Sequence, residues 1–387
     1  MFKNVVRSTP TRSRYVHNMI WEQPQPITDN IFPPTNARKE PRNKPQTYIN
    51  KNWNILGTYN KSCSAYGIIE TASPLGQSKL GVEKGPSVIM KHNPFIKSNF
   101  GNSNNVNKYH AKCSVNIDGI EWSQSILPGY DLKCDYVNKN LLQSPRGSLF
   151  NDSKHTFPKN LRQLDNLNHV LYYANTYSQE LCDMTINLMG DHSSSIASLL
   201  STSSYDPDAI VVWIDAHPDI NTHKTSPTGN VHGMSVAIAG GFMNTELYQN
   251  DMFKWMANIP KFNLKNLIYI GIRDIDEAEA NIIKKYGITV LDKNNTDELI
   301  TRIFDKNVHI SLDVDSLDPS YFSCTGTPVS EGLSSMDVQN IITEIHTYGN
   351  LIKLDIAEFN PLIEPQYVNK CLNIITNNVI APAFGLD

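Results

Sequence analysis

From about residue 180 onward, apolar residues occur in short continuous runs: MTINLM, AIVVWI, NLIYIGI, NVHISL and LIKLDI. Segments long enough for helices separate them. Continuous runs of this length predict strands buried on both faces, and their alternation with helices predicts a parallel, doubly wound sheet. Further upstream, AYGIIETASP reads as a strand running into a loop, and GQSKLGVEKGPSVIM as a Gly-rich turn leading into a helix. The spacing of Leu161, Leu164, Leu167, Val170 and Leu171 predicts a helix over LRQLDNLNHVLYYANTYSQEL. Two stretches lack any such period. Residues 91–160, rich in Asn with isolated aromatics, read as a long insertion, and residues 1–60 as a loosely attached arm preceding a single domain over 61–387.

Composition adjusts this picture in three ways. The 387 residues carry a net charge of −4, but residues 1–45 hold eight Lys/Arg against three acids, +5, leaving about −9 for the rest. The first twenty residues contain no acid, so the arm reads either as a solvated tail of a cytoplasmic protein or as the basic leader of a mitochondrial one. Hydrophobic residues make up only 40% of the chain. That is low for a compact globule, and the arm and insertion account for much of it. No run approaches the roughly 20 apolar residues that span a bilayer, and the near-neutral balance gives no general reason to expect nucleic acid as a partner. The six cysteines are scattered without a CxxC pair, which excludes a zinc ribbon and predicts a reducing compartment.

Nearly every apolar run ends in charged residues, and in open α/β sheets the ligand crevice lies beyond the carboxyl ends of the strands. Four segments stand there: Gly190-Asp191-His192-Ser193, Asp215-Ala216-His217-Pro218-Asp219-Ile220-Asn221, Asp313-Val314-Asp315, and Asp355-Ile356-Ala357-Glu358. In an extended chain residues i and i+2 share a face, so Asp215 and His217 are expected to converge, with Asp219 coming round as the strand breaks. Asp313 and Asp315 repeat the device. So many carboxylates at one sheet edge would repel one another and take up protons unless cations compensated them. Four Asp charges balance two divalent ions, with His192 and His217 completing the shells. A set dominated by carboxylate oxygen, without thiolate, favours Mn²⁺ over Zn²⁺. Two such ions roughly 3.5–4 Å apart can hold a bridging water as hydroxide, which implies metal-assisted hydrolysis. A lone Asp-x-Asp or Gly-Asp-His-Ser is more often a cap or turn; three strand ends with metal-type ligands together are not.

The motifs GDHS, DAHPD, and SLDVDSLDP followed by TGTP resemble those of the ureohydrolase superfamily, the arginases and agmatinases, from about Ser73 to the C-terminus except over 91–160. The resemblance implies a three-layer α-β-α domain with a central, mostly parallel sheet, two Mn²⁺ per subunit, and a bridging hydroxide that attacks a guanidinium carbon and releases urea. It implies that His192, Asp215, Asp219 and Asp313 hold one ion and His217, Asp215, Asp313 and Asp315 the other. The finer motifs are similar to arginase. Asn221 and Thr228 would read the carboxylate of L-arginine, with Asn230 nearby in the substrate site, and Asp276 would meet its α-amino group. Thr327 would line the pocket, Glu358 would pair with the guanidinium, and His232 would shuttle protons from a pKa near neutral. Asp219 would orient the nucleophile while acting as a ligand. The resemblance also implies a homotrimer or hexamer.

Two positions depart from the family pattern: Met189 stands where a glycine is usual, and Thr228 where a serine is. His223 and His309 have no comparable context and read as structural or exposed. The competing readings are an agmatinase or other guanidino-compound ureohydrolase, and a metal-binding relative without turnover.

Overall fold

In the computed structural model, residues 66–93, 108–116, 119–127 and 160–386 are described, all within one compact unit, Asn60–Asp387. The basic arm and most of the stretch read as an insertion lie outside them. Among the described residues nine strands form a single sheet: β1 (Tyr66–Ala72), β2 (Lys108–Asn116), β3 (Gly119–Leu127), β4 (Met184–Met189), β5 (Ile210–Ile214), β6 (Leu267–Ile270), β7 (Thr289–Leu291), β8 (Asn307–Asp313) and β9 (Asn350–Ala357). Their order in space is β3-β2-β1-β4-β9-β8-β5-β6-β7. Every pairing is parallel except the antiparallel β2–β3 pair at one edge. Two strands within 91–160 thus extend the sheet, with Tyr66–Ala72 registered on Lys108–Ser114. No apolar run in that Asn-rich stretch signals them.

Successive residues on the central strands point to opposite faces, and each face has its own core. Val212 and Ile268 pack on one side with α7 (Thr296–Ile303) and α8 (Ser335–Tyr348). Their neighbours Val211 and Leu267 pack on the other with α2 (Leu161–Leu181) and α3 (Ser195–Tyr205). This is the expected three-layer arrangement. The remaining helices are α1 (Gly85–His92), α4 (Ser235–Ala239), α5 (Asn244–Gln249), α6 (Glu277–Tyr286), α9 (Val368–Ile374) and α10 (Ala381–Ala383). Among the described residues no helix is long and apolar enough to cross a membrane.

Helix α3, SIASLLSTSSY, is rich in hydroxyl residues of modest helix propensity, yet nearly all of it is buried. It lies against a polar strip of the sheet: His309 on β8, Lys353 and Asp355 on β9, and Asn187 on β4. Register puts Asn187 and Ser311 on either side of Asp355.

Candidate metal centre

The four segments lie at the ends of β4, β9, β8 and β5, four consecutive strands of the sheet, with Asp355–Ala357 and Asp313 still inside β9 and β8, so their ends converge. After β4 the chain turns at Gly190, where a Cβ would come within 2.2 Å of the Ser73 carbonyl, so only glycine fits. Asp191 then caps the turn carrying His192: its carboxylate accepts the Ser193 amide at 2.9 Å and the Gly76 amide at 3.0 Å. After β5, Asp215 accepts the His217 amide at 2.7 Å. At the end of β8, Asp313 accepts the Asp315 amide at 2.8 Å. In each case an aspartate closes a turn on the amide two residues on. Asp215 and His217, and Asp313 and Asp315, converge through these turns and not through an extended chain; the strand has already ended.

All six expected ligands come together. His192 Nδ1 lies 3.1 Å from Asp215, 3.3 Å from Asp219 and 3.3 Å from Asp313. His217 Nδ1 lies 3.2 Å from Asp315 and 3.5 Å from Asp215. Asp215 turns one oxygen to each imidazole, so it belongs to both candidate ligand groups: His192, Asp215 and Asp313, and Asp215, His217 and Asp315. His192 Nδ1 is buried without a hydrogen-bond partner of its own, a donor atom left facing three carboxylates. Oxygen and imidazole donors in two groups sharing one carboxylate fit a pair of hard divalent cations.

Electrostatics carry the same signature. Burial raises the Asp313 carboxyl well above its ordinary range, with Asp315 and Asp215 adding to it. Burial and Asp215 likewise raise Asp219 to about 6. Burial alone would lower both imidazoles, yet their carboxylate neighbours raise His192 well above its usual value and His217 to about 12. The imidazolium ions take the place of cations at the cluster's centre.

Glu358 sits beside this cluster, buried and in left-handed backbone at φ 66°, as does Asp219 at φ 51°. Non-glycine residues pay about 1–3 kcal/mol for such backbone, which persists where surrounding contacts enforce it. Glu358 accepts the His192 amide at 2.9 Å, the Gln77 side chain, and His232 Nδ1 at 3.1 Å. Against burial, Glu358 raises His232 to about 9, above the near-neutral value expected from its sequence context. The pairing makes His232 an imidazolium.

The expected substrate readers are brought only partly together. Asn221 donates to Asp276 at 2.7 Å. Asp276 also caps α6, accepting the Glu279 amide at 3.0 Å, so both of its oxygens are engaged. Thr228 is exposed and accepts the Asn230 amide at 3.2 Å within its own loop. Thr327 donates its hydroxyl to Asp315 at 2.7 Å. Met189 is buried at the end of β4, with the Ser195 hydroxyl on its sulfur at 3.5 Å.

Three supporting residues escaped the motif reading. Trp213 stacks on His192 with ring centroids 4.2 Å apart and donates Nε1 to Asp215 at 2.9 Å. The Ser311 hydroxyl meets His192 Nε2 at 2.9 Å. Gln77 reaches Glu358 from the Gly-rich turn after β1. Trp213 and Ser311 each stand two residues before a ligand aspartate, so strand periodicity could have found them; Gln77 has no such signal.

A model described as "Arginase family" matches residues 66–372. The chain is 31% identical over 334 residues to arginase-1 of Oryctolagus cuniculus, covering 83% of this chain and 92% of that protein. It is 30% identical over 304 residues to the arginase of Saccharomyces cerevisiae, covering 74% and 84%. Among solved structures, Entamoeba histolytica arginase in complex with L-ornithine superposes with a TM-score of 0.63 at 26% identity, covering 84% of this chain and 99% of that one.

Proposed function

The chain belongs to the arginase family, and from that premise we propose that it is an arginase, a binuclear manganese hydrolase converting L-arginine and water to L-ornithine and urea. The observation that carries this reading is the buried Glu358 carboxylate standing against the His192 amide, beside two ligand groups that share Asp215. His192, Asp215, Asp219 and Asp313 would hold one ion, and His217, Asp215, Asp313 and Asp315 the other. Bound there, the pair supplies Lewis acidity and a water of lowered pKa.

The chain's own residues then have definite tasks. Glu358 accepts N–H bonds from the planar guanidinium, whose fork matches a carboxylate. That contact fixes the guanidinium carbon next to the ligand groups, which is an orientation effect. As the substrate cation takes over part of the Glu358 charge, the hold of Glu358 on the His232 proton weakens. His232 can then pass that proton to the departing ornithine amine. Asp276, which accepts from Asn221, offers carboxylate oxygen to the α-amino group; Asn221 and Thr228 offer an amide and a hydroxyl to the α-carboxylate, with Asn230 nearby.

The test is urea release by the manganese-loaded protein from arginine, agmatine and guanidinobutyrate, with wild type and Asp276→Ala. Turnover of arginine above the other two is expected, with KM for arginine raised by tenfold or more in Asp276→Ala, as lost charged hydrogen bonds of about 1.5–3 kcal/mol imply. Urea from agmatine and none from arginine would overturn the arginase reading. An unchanged KM in Asp276→Ala would overturn the α-amino assignment alone.

A further inference from the structure

The Gly-rich turn after β1, GQSKLGVEKGP, reads from sequence only as the approach to a helix. In the fold its first two residues are clamped onto three residues of the candidate site. Gly76 donates its amide to Asp191 at 3.0 Å and accepts the His232 amide on its carbonyl at 3.1 Å. A Cβ at Gly76 would come within 2.3 Å of the Asp191 carboxylate, so this approach needs glycine. The contact delivers Gln77, half-buried, whose Nε2 donates to Glu358 Oε2 at 2.5 Å. Two residues on, the Lys79 ammonium donates to the Gly326 carbonyl, in the loop that carries Thr327. Ser78, Lys79 and Leu80 are exposed, so the turn stands at the surface, while the Glu358 carboxylate that Gln77 touches is buried.

We propose that Gln77 is a positioning residue of the guanidinium site: its amide fixes the plane of the Glu358 carboxylate. The proposal rests on the arginase reading for what Glu358 binds. Three donors hold Glu358, and they are unevenly divided. The His192 amide at 2.9 Å and His232 Nδ1 at 3.1 Å both meet Oε1, and among the described residues Gln77 alone meets Oε2. Rotation of a glutamate carboxylate about its last bond is a broad torsion without staggered wells to hold it. Donors on Oε1 alone leave the group able to pivot on that oxygen. A donor on Oε2 stops the pivot. Oε2 also carries fewer donors than Oε1, so the oxygen with more room for a substrate N–H is the one Gln77 holds.

Gln77 acts here through Glu358 and not by touching the substrate. With the carboxylate plane free, a guanidinium still finds its counter-charge, but its carbon is no longer aimed at the ligand groups. A misplacement of about 1 Å can cost about 10²-fold in rate. Loss of Gln77 therefore acts on kcat more than on KM. An acidic replacement has a signature of its own. Gln77→Glu sets a carboxyl against a carboxylate, and the two must share a proton. The introduced carboxyl donates to Glu358 only while protonated, so activity relative to wild type rises as pH falls.

The test compares the manganese-loaded full chain as wild type, Gln77→Ala and Gln77→Glu, on whichever of arginine, agmatine and guanidinobutyrate wild type hydrolyses. Crystal structures of wild type and Gln77→Ala accompany the rates. In Gln77→Ala, kcat is expected to fall about tenfold or more with KM within about threefold of wild type. Manganese stoichiometry and Tm should stay unchanged, and the Glu358 carboxylate should turn out of its wild-type plane. In Gln77→Glu, kcat should recover towards wild type as pH falls from about 9 to 6. The proposal is overturned if Glu358 keeps its plane in Gln77→Ala, or if kcat stays within about twofold of wild type. Loss of manganese together with kcat would also overturn it, since the turn would then merely support the metal centre. A wild type that hydrolyses agmatine and not arginine defeats the arginase reading, and the agmatine rates decide Gln77. If wild type hydrolyses none of the three, the Glu358 plane in the two structures decides. Should Gln77→Ala fail to fold, the nearly isosteric Gln77→Glu decides through its pH profile: a rising ratio supports the proposal and a flat one overturns it.

Discussion

Strands β8 and β9 carry charge at two levels, and the levels are built on opposite rules. In the interior of the strands, Asp355 pairs with His309 at 2.9 Å and accepts from Asn187 at 2.6 Å and Ser198 at 3.0 Å. Beside it the Lys353 ammonium donates to Ser201 at 2.6 Å, the Ser198 carbonyl at 3.1 Å and Gln179 at 3.1 Å. Both side chains are fully buried, and each charge meets a set of protein partners. At the strand ends, four aspartates share two imidazoles, burial and mutual repulsion raise Asp313 and Asp219, and His192 Nδ1 has no partner. A closed cluster fixes structure. The strand-end cluster, buried except at the quarter-exposed His217, holds more carboxylate charge than its own imidazoles balance.

Replacing a strand-end aspartate should produce the largest effect. Asp313→Asn keeps the oxygen that accepts the Asp315 amide but removes a ligand charge. Urea production should fall below detection, and manganese should no longer raise Tm, whereas wild type should gain about 4 kcal/mol at a free metal concentration of about 1,000 Kd. The metal-free variant should be at least as stable as metal-free wild type, since one repelling carboxylate has gone. Marked destabilisation of the metal-free variant would mean that the upper level is closed as well.

The lower level should respond the other way. Asp355→Ala strands His309, Asn187 and Ser198 in the interior, and urea unfolding should show a loss of about 3–5 kcal/mol. Manganese stoichiometry should stay unchanged. A fall to one ion would show that the two levels act as a single cluster.

Lys353 offers the finest cut. Burial lowers its ammonium to about 7 from an ordinary 10.5. Between those values the unfolded chain holds a proton that the folded chain has released, so folding stability rises with pH across the window, by up to about 1.4 kcal/mol per unit. In Lys353→Met that contribution should disappear from denaturation curves measured between pH 7 and 10. A slope identical to wild type would show that Lys353 keeps its proton when folded.

Strand ends were the most legible part of this chain. Asp215, Asp313 and Glu358 each fall on or just after a buried apolar run, and their residue types speak for themselves. The lower level was misread or illegible: Asp355, placed with the strand-end segments, lies inside β9, Lys353 and His309 sit within apolar runs, and their partners Asn187 and Ser198 are more than 100 positions away. His309, read as structural or exposed, proves structural: it is fully buried, 2.9 Å from the Asp355 carboxylate, and burial lowers its pKa. The left-handed backbone of Glu358 and Asp219 was also hidden, because only tertiary contacts make a non-glycine residue adopt it.

Local chemistry let the sequence by itself determine five of the six strands after residue 180, their burial on both faces, and the ligands at the ends of three of them; the short edge strand β7, half exposed, carries no such run. Those properties depend on period and composition within a few residues. The tertiary structure decided the rest. Strands β4, β5, β8 and β9 in chain order become β4, β9, β8 and β5 in space. Only that order brings His192 against Asp313 and Glu358 against the His192 amide. Sheet order is set by long-range pairing and by the helices packed on each face, a sum over contacts that no single segment carries.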